Sequence, residues 1–165
     1  MSVTQKTPAA FDPETAENFE DMEKQFAVKG ASKPVQHMAT YWAILEKIRG
    51  SQLRLTKMDD EIYTHFKETF PDFDPAATVD EDKMKSKEGK EVWRNFMNQY
   101  EKKIEDFNFG TMLRNNPKTE YTEKDTIFAM RMQFYAIEIA RNRAGLNDWI
   151  YEEKHALADK KSEEK

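Results

Sequence analysis

The chain of 165 residues weighs 19.5 kDa, is 38% hydrophobic and 35% charged, and carries 31 acidic against 26 basic side chains for a formal charge of −5. Such a chain buries roughly 70% of the surface its unfolded form exposes, enough for one soluble domain with a core of its own. Zero cysteines exclude disulfides, thiolate metal sites and thiol nucleophiles and point to a reducing compartment such as the cytoplasm or nucleus; no run of ~18 apolar residues offers a membrane span, and an acidic balance without a basic block argues against nucleic acid as the main ligand.

The opening MSVTQKTPAA lacks the apolar stretch of a secretory signal, so no export is expected. Residues 1–10 and the charged stretch 152–165 predict frayed tails around a folded domain at 11–151. Asp12 and Pro13 start a helix striped by Phe19, Met22 and Phe26 and ended by Gly30. Ser32 and Pro34 open a second, with Val35, Met38, Trp42 and Leu45 on its inward face, Tyr41 and Ile48 one step aside, and Gly50 as its stop. Thr56 caps a third that carries Asp59, Asp60 and Glu61 in its first turn and Met58, Ile62, Phe66 and Phe70 behind them, up to Pro71.

The segment Pro71 to Pro75 reads as an ordered loop between two prolines. From Ser86 to Phe107, Trp93, Phe96, Met97, Tyr100, Ile104 and Phe107 recur at helical spacing. Gly110 and Asn115-Asn116-Pro117 then break the period, leaving room for one short hairpin near 108–121. A last strong helix, capped by Thr122 or Asp125, combines the stripes Ile127-Met130-Phe134-Ile137 and Phe128-Met132-Tyr135-Ile139, so it is expected at the centre of the molecule. Gly145 closes it, and Asn147-Asp148 starts a short final helix with Trp149 and Ile150. The predicted fold class is mainly α: a single bundle-like domain of about five to six helices.

Catalytic signals are sparse. His37, His65 and His155 stand far apart in sequence, with no marked nucleophile beside any of them. His65 lies one turn from Glu61 and Glu68, half a metal site at most, and reads better as an ordinary helix histidine. A helical di-iron site needs two Glu-x-x-His motifs; Glu152 to His155 supplies one. Gly89-Lys90 lacks the upstream glycine and following hydroxyl of a phosphate loop, and five glycines leave little for any cofactor cradle. Asp59-Asp60 reads as helix capping rather than as an acid and base pair. Neither catalysis, nor a cofactor, nor a metal is therefore expected.

Binding signals are richer. Arg141, Arg143, Asn147, Asp148 and Trp149 gather hot-spot residue types around a helix end, with dipole complementation and core packing as the competing explanation. Phe109, Met112 and Arg114, in the irregular segment, form a second candidate partner surface, and Met84 joins Met112 as a methionine off the main stripes.

Three long strings, LRLTKMDDEIYTHFKETFPDFDP (53–75), MKSKEGKEVWRNFMNQYEKKIEDFNFGTMLR (84–114) and IFAMRMQFYAIEIARNRAGLNDWIY (127–151), resemble the eukaryotic polysaccharide biosynthesis domain-containing protein 1 family across most of 11–151. The resemblance implies a ribosome-associated, cytoplasmic chaperone that binds the nascent GTP-binding domain of translation elongation factor 1A without catalysis; the charge balance and the lack of an apolar span add the expectation of no direct sequence-specific nucleic-acid contact and no membrane contact. It brings no binding motif that maps onto the candidate residues. An enzyme of polysaccharide biosynthesis, methyltransferase-like, and a passive helical adaptor are the alternatives.

Overall fold

The computed structural model describes Phe19 and residues 32–163. Helix α1 (Lys33–Leu45) begins after Ser32 with Pro34 in its first turn, where a missing N–H costs nothing. It ends short of Gly50, and of the expected inward residues Tyr41, Leu45 and, beyond the helix, Ile48 are buried, but Val35 is exposed and Met38 and Trp42 are half-buried, their places inside taken by His37, Thr40 and Ile44. The helix has turned to place His37 and Tyr41 inside, where each finds a polar partner. A 3-10 turn (Gly50–Gln52) leads to α2 (Asp59–Thr69). Thr56 does not cap α2 as expected: Met58 precedes the helix and no side chain caps it, while Asp59 accepts from the N–H groups of Leu55 and Thr56 at 2.8 and 2.7 Å and Thr56 Oγ1 accepts from Met58 N–H at 2.9 Å, closing the turn ahead of the helix instead.

Beyond the Pro71–Pro75 loop come α3 (Glu81–Met84) and α4 (Lys87–Asn98), which Ser86 caps by accepting from Gly89 N–H at 3.0 Å. The helix expected to reach Phe107 stops at Asn98; the chain continues in loose turns and passes Asp106 at φ 58, a left-handed position that no helix continues through. Tyr100 and Ile104 still reach the core from these turns.

The expectation of a mainly α bundle is overturned: among the described residues six helices accompany a two-stranded antiparallel sheet, an α+β fold. Strand β1 (Gly110–Arg114) falls where a hairpin was expected, but its partner β2 (Thr126–Met130) lies beyond it, in the segment read as the start of the central helix. The register pairs Gly110 with Met130, Met112 with Phe128 and Arg114 with Thr126. Along β2, Ile127 and Ala129 are buried while Thr126, Phe128 and Met130 face outward, a period of two.

Helix α5 (Arg131–Arg143) starts only then, and its first twelve residues are all buried, so it is the central helix over a shorter span than the stripes suggested. Gly145 at φ 73 ends it: Leu146 N–H donates to Arg141 C=O at 3.0 Å and Gly145 N–H to Asn142 C=O at 3.0 Å, the double bond of a Schellman turn. The final helix α6 (Asp148–Glu163) is one continuous element through the stretch expected to fray, with exposed side chains from Glu152 to Asp159. The helix and stripe expected over 12–30 lie outside the described residues except for Phe19, which is buried with its ring 5.1 Å from His37 and 5.2 Å from Tyr41. The tail expected at 1–10 lies outside them too.

Candidate functional site

The hairpin and α5 meet over a buried polar cluster. Glu138 is the only acidic residue in the run from Met132 to Ala140, and its carboxylate gathers four donors. Arg141 Nη1 donates at 2.6 Å and Arg114 Nη2 at 3.4 Å; the Tyr41 hydroxyl and Asn147 Nδ2 add bonds of 2.8 and 2.9 Å. Burial alone would push the Glu138 carboxyl up, but the Arg141 and Arg114 guanidinium groups hold it below the usual range. The second cation is met by carbonyls and ring faces. Arg114 Nη1 donates to the Pro117 and Thr119 carbonyls, and its guanidinium lies 5.7 Å from the Trp42 ring and 5.8 Å from Tyr121. Burial keeps the Tyr41 and Tyr121 hydroxyls protonated.

This cluster divides the candidate surface residues. Arg114, Arg141 and Asn147 have no exposed area, so they hold the hairpin, α5 and the start of α6 together instead of meeting a partner. Trp149 is half-buried, its indole N–H donating to Pro117 C=O at 2.8 Å and its ring edge-on to Trp42. Asp148 accepts from Ser51 N–H and Oγ at 2.9 and 2.7 Å, tying the 3-10 turn to α6. Arg143 is exposed, paired with Asp60 and stacked 4.7 Å from the Tyr63 ring. Dipole complementation and packing account for most of the first group. Sequence spacing missed Glu138 as the organiser of the cluster, although a lone acid amid nine otherwise uncharged residues is itself a sign of a buried partner.

The second group lies elsewhere. Met112, Phe128 and Met130 stand on the outer face of the hairpin, two half-buried and Phe128 46% exposed. Phe109 just before β1 is 40% exposed, with the Lys33 ammonium 5.0 Å from its ring. The Phe128 ring lies against the bare backbone of Gly110, where any Cβ would collide with it. This is a solvent-facing apolar patch of soft and aromatic side chains on a sheet whose inner face is locked to the core, the composition that lets one surface adapt to varied apolar partners. Phe128 and Met130 were read as interior helix residues; because both faces of β2 are apolar, its alternation is invisible in a polarity pattern.

A polar cleft of about 350 Å³ opens between residues 50–54, Asp59, Ile139 and the end of α5. Its acid, Asp59, already accepts three hydrogen bonds from Leu55 and Thr56, and burial pushes its carboxyl up in spite of them. Such a group anchors a turn. His65 donates or accepts at the Tyr100 hydroxyl, 2.9 Å away, and stacks on Phe96. Met84 is buried between α3 and α4. Among the described residues no three His, Asp or Glu side chains converge as metal ligands, and no helix is long and apolar enough to cross a membrane.

Comparison with known proteins places this geometry in a family. A curated relative from Saccharomyces cerevisiae, Protein PBDC1 homolog, is 52% identical over 88% of this chain and 99% of its own length. Its counterpart in Schizosaccharomyces pombe is 54% identical over 84% and 94%, and mouse Protein PBDC1 is 40% identical over 92% and 73%. A solution NMR structure of a Saccharomyces cerevisiae protein, 52% identical, superposes with a TM-score of 0.67 over 87% of this chain and 97% of its own. The model of the PBDC1 protein family matches residues 22–152, and the chain belongs to that family.

Proposed function

We propose that this protein is a cytosolic chaperone that covers unfinished surface of the GTP-binding domain of translation elongation factor 1A as that domain emerges from the ribosome. The client comes from the resemblance of the three sequence strings; the observation that carries the mode of action is the outer hairpin face, Met112, Phe128 and Met130, apolar and open to solvent in an otherwise highly charged chain. Half-folded domains expose apolar surface that aggregates unless something occupies it. A binder that favours the incomplete client is displaced once folding or nucleotide binding removes the surface it holds, so release needs no bond to be broken. Rigid support from the Arg114–Glu138–Arg141 cluster keeps the face in place, while its methionines adjust to successive client shapes.

The test is affinity purification of ribosome–nascent-chain complexes through this protein, followed by identification of the messages they carry. Enrichment of elongation factor 1A messages, lost on Phe128→Asp with Met112→Asp while the fold is retained, supports the reading. Equal recovery with the altered face, or no enrichment over bulk messages, refutes it.

A further inference from the structure

The hairpin has a second property besides its apolar face. Arg131 N–H donates to Phe109 C=O and Asn115 N–H to Asp125 C=O, at each end of the sheet. With the observed register these bonds make Thr111–Ala129 and Leu113–Ile127 the mutually bonded pairs. Gly110–Met130, Met112–Phe128 and Arg114–Thr126 are then the pairs whose backbone groups turn away from each other, toward the two edges.

The edges differ. On β1 the outward carbonyl of Arg114 is taken by Arg141 Nη1 at 2.9 Å and α1 packs along the strand, His37 meeting the Thr111 hydroxyl, so that although the outward groups of Gly110 and Met112 have no partner among the described residues, α1 lies beside this strand and not beside β2. On β2 the outward N–H of Met130 is taken by Gln133 Oε1 at 2.8 Å, closing that end. Between Met130 and the 115–125 loop, the N–H and C=O groups of Thr126 and Phe128 have no partner among the described residues, and Phe128 is the most exposed side chain of the sheet. Unpaired edge groups beside an apolar side chain are the template for strand addition.

We propose that the outer edge of β2 takes up a short, extended, apolar stretch of another polypeptide as a third strand. The backbone of the incoming segment bonds Thr126 and Phe128, and every second side chain falls on the face already formed by Phe128, Met112 and Met130. Extended geometry is set by the edge itself: a docked helix satisfies its own N–H and C=O groups and leaves these four unmet. Two residues of open edge make a brief ladder, suited to holding a segment transiently and to many sequences. The idea rests on the chaperone reading only for its biological partner.

The experiment is an amide NMR titration of the full chain with a blocked peptide of alternating threonine and valine, compared with a twin N-methylated on its inner amides. Saturable shifts centred on the Thr126 and Phe128 amides, with affinity for the twin lower by roughly tenfold or more, support strand addition. Equal binding of the twin, shifts centred away from β2, or no saturable binding overturn it. No elongation factor is present in this titration, so failure here with client capture intact would sink strand addition alone, and loss of client capture with these shifts intact would sink the client assignment alone.

Discussion

Substituting Glu138→Gln removes the single anion that two buried guanidinium groups share. Both arginines and Glu138 are inaccessible to water, so nothing screens the imbalance that remains. The amide also mismatches the donors: one carboxylate oxygen receives Tyr41, Arg114 and Asn147, the other receives Arg141 at 2.6 Å, and an NH₂ in that second position faces a donor with a donor. Breaking a buried pair from one side costs about 3–5 kcal/mol, a large part of the ~5–15 kcal/mol that holds a typical domain folded. At about 2–4 °C per kcal/mol for a chain of this length, the melting temperature falls by roughly 6–20 °C. Urea unfolding followed by tryptophan fluorescence is the assay, with Trp42, whose ring faces Arg114, and Trp149, edge-on to Trp42, as reporters. Replacing the triad together, Arg114→Met, Glu138→Leu and Arg141→Met, removes charge and counter-charge alike and is expected to cost far less than the single change. A Glu138→Gln loss under about 1 kcal/mol would show that water or another group reaches the cluster and would refute the argument.

His37 sets a second expectation. Burial, with the Arg131 charge beside it, lowers its pKa to about 2, so it stays neutral in the folded chain while the unfolded chain takes up a proton near pH 6.5. The unfolded state then binds more protons as pH falls, and the group's contribution, complete above pH 6.5, shrinks by about 2 kcal/mol on reaching pH 5. The stability of His37→Gln measured by urea titration at several pH values should lack that slope; an unchanged slope would show that the ring is protonated inside. Gly110→Ala places a methyl where the Phe128 ring lies, and because that ring borders solvent it swings away instead of straining the core. Stability should change by about 1 kcal/mol or less while the ring-current shift on the residue-110 Hα disappears; a retained shift would mean the ring does not rest there.

Helix ends were legible in the sequence where one local group decides them: the helix over Trp93 and Phe96 starts at Ser86 and Gly145 stops α5, whereas the cap expected at Thr56 is not made, because α2 starts after Met58 and Thr56 bonds Asp59 in the turn before it. Strand β2 was not, because Thr126–Met130 is apolar on both faces and runs without a break into a true helix, so three-and-four spacing is satisfied by residues that never share a helix. The choice between strand and helix there is made by the partner strand, which no local pattern encodes. The same blind spot hid half of the candidate site: Phe109 and Met112 were picked out by their position in a broken stretch, while Phe128 and Met130 were assigned to the interior. Conversely, Arg114, Arg141 and Asn147 look like a binding surface in sequence because interfaces and buried ionic clusters use the same residue types. A double substitution of Arg141 and Arg143 is for that reason a poor test of partner binding: the first of the pair supports the fold.

Methionine methyl groups offer the most direct test of the proposal that a nascent client docks on the outer hairpin face. With ¹³C-methyl labels, Met112 and Met130 report from the outer hairpin face, and Met84 and Met132 report from the buried core as internal controls. On adding ribosomes stalled with the GTP-binding domain of elongation factor 1A partly exposed, the Met112 and Met130 resonances should shift or broaden while those of Met84 and Met132 hold still, and ribosomes bearing an unrelated nascent chain should leave all four unchanged. Perturbation that spares Met112 and Met130, or that follows any ribosome regardless of its nascent chain, would contradict the account.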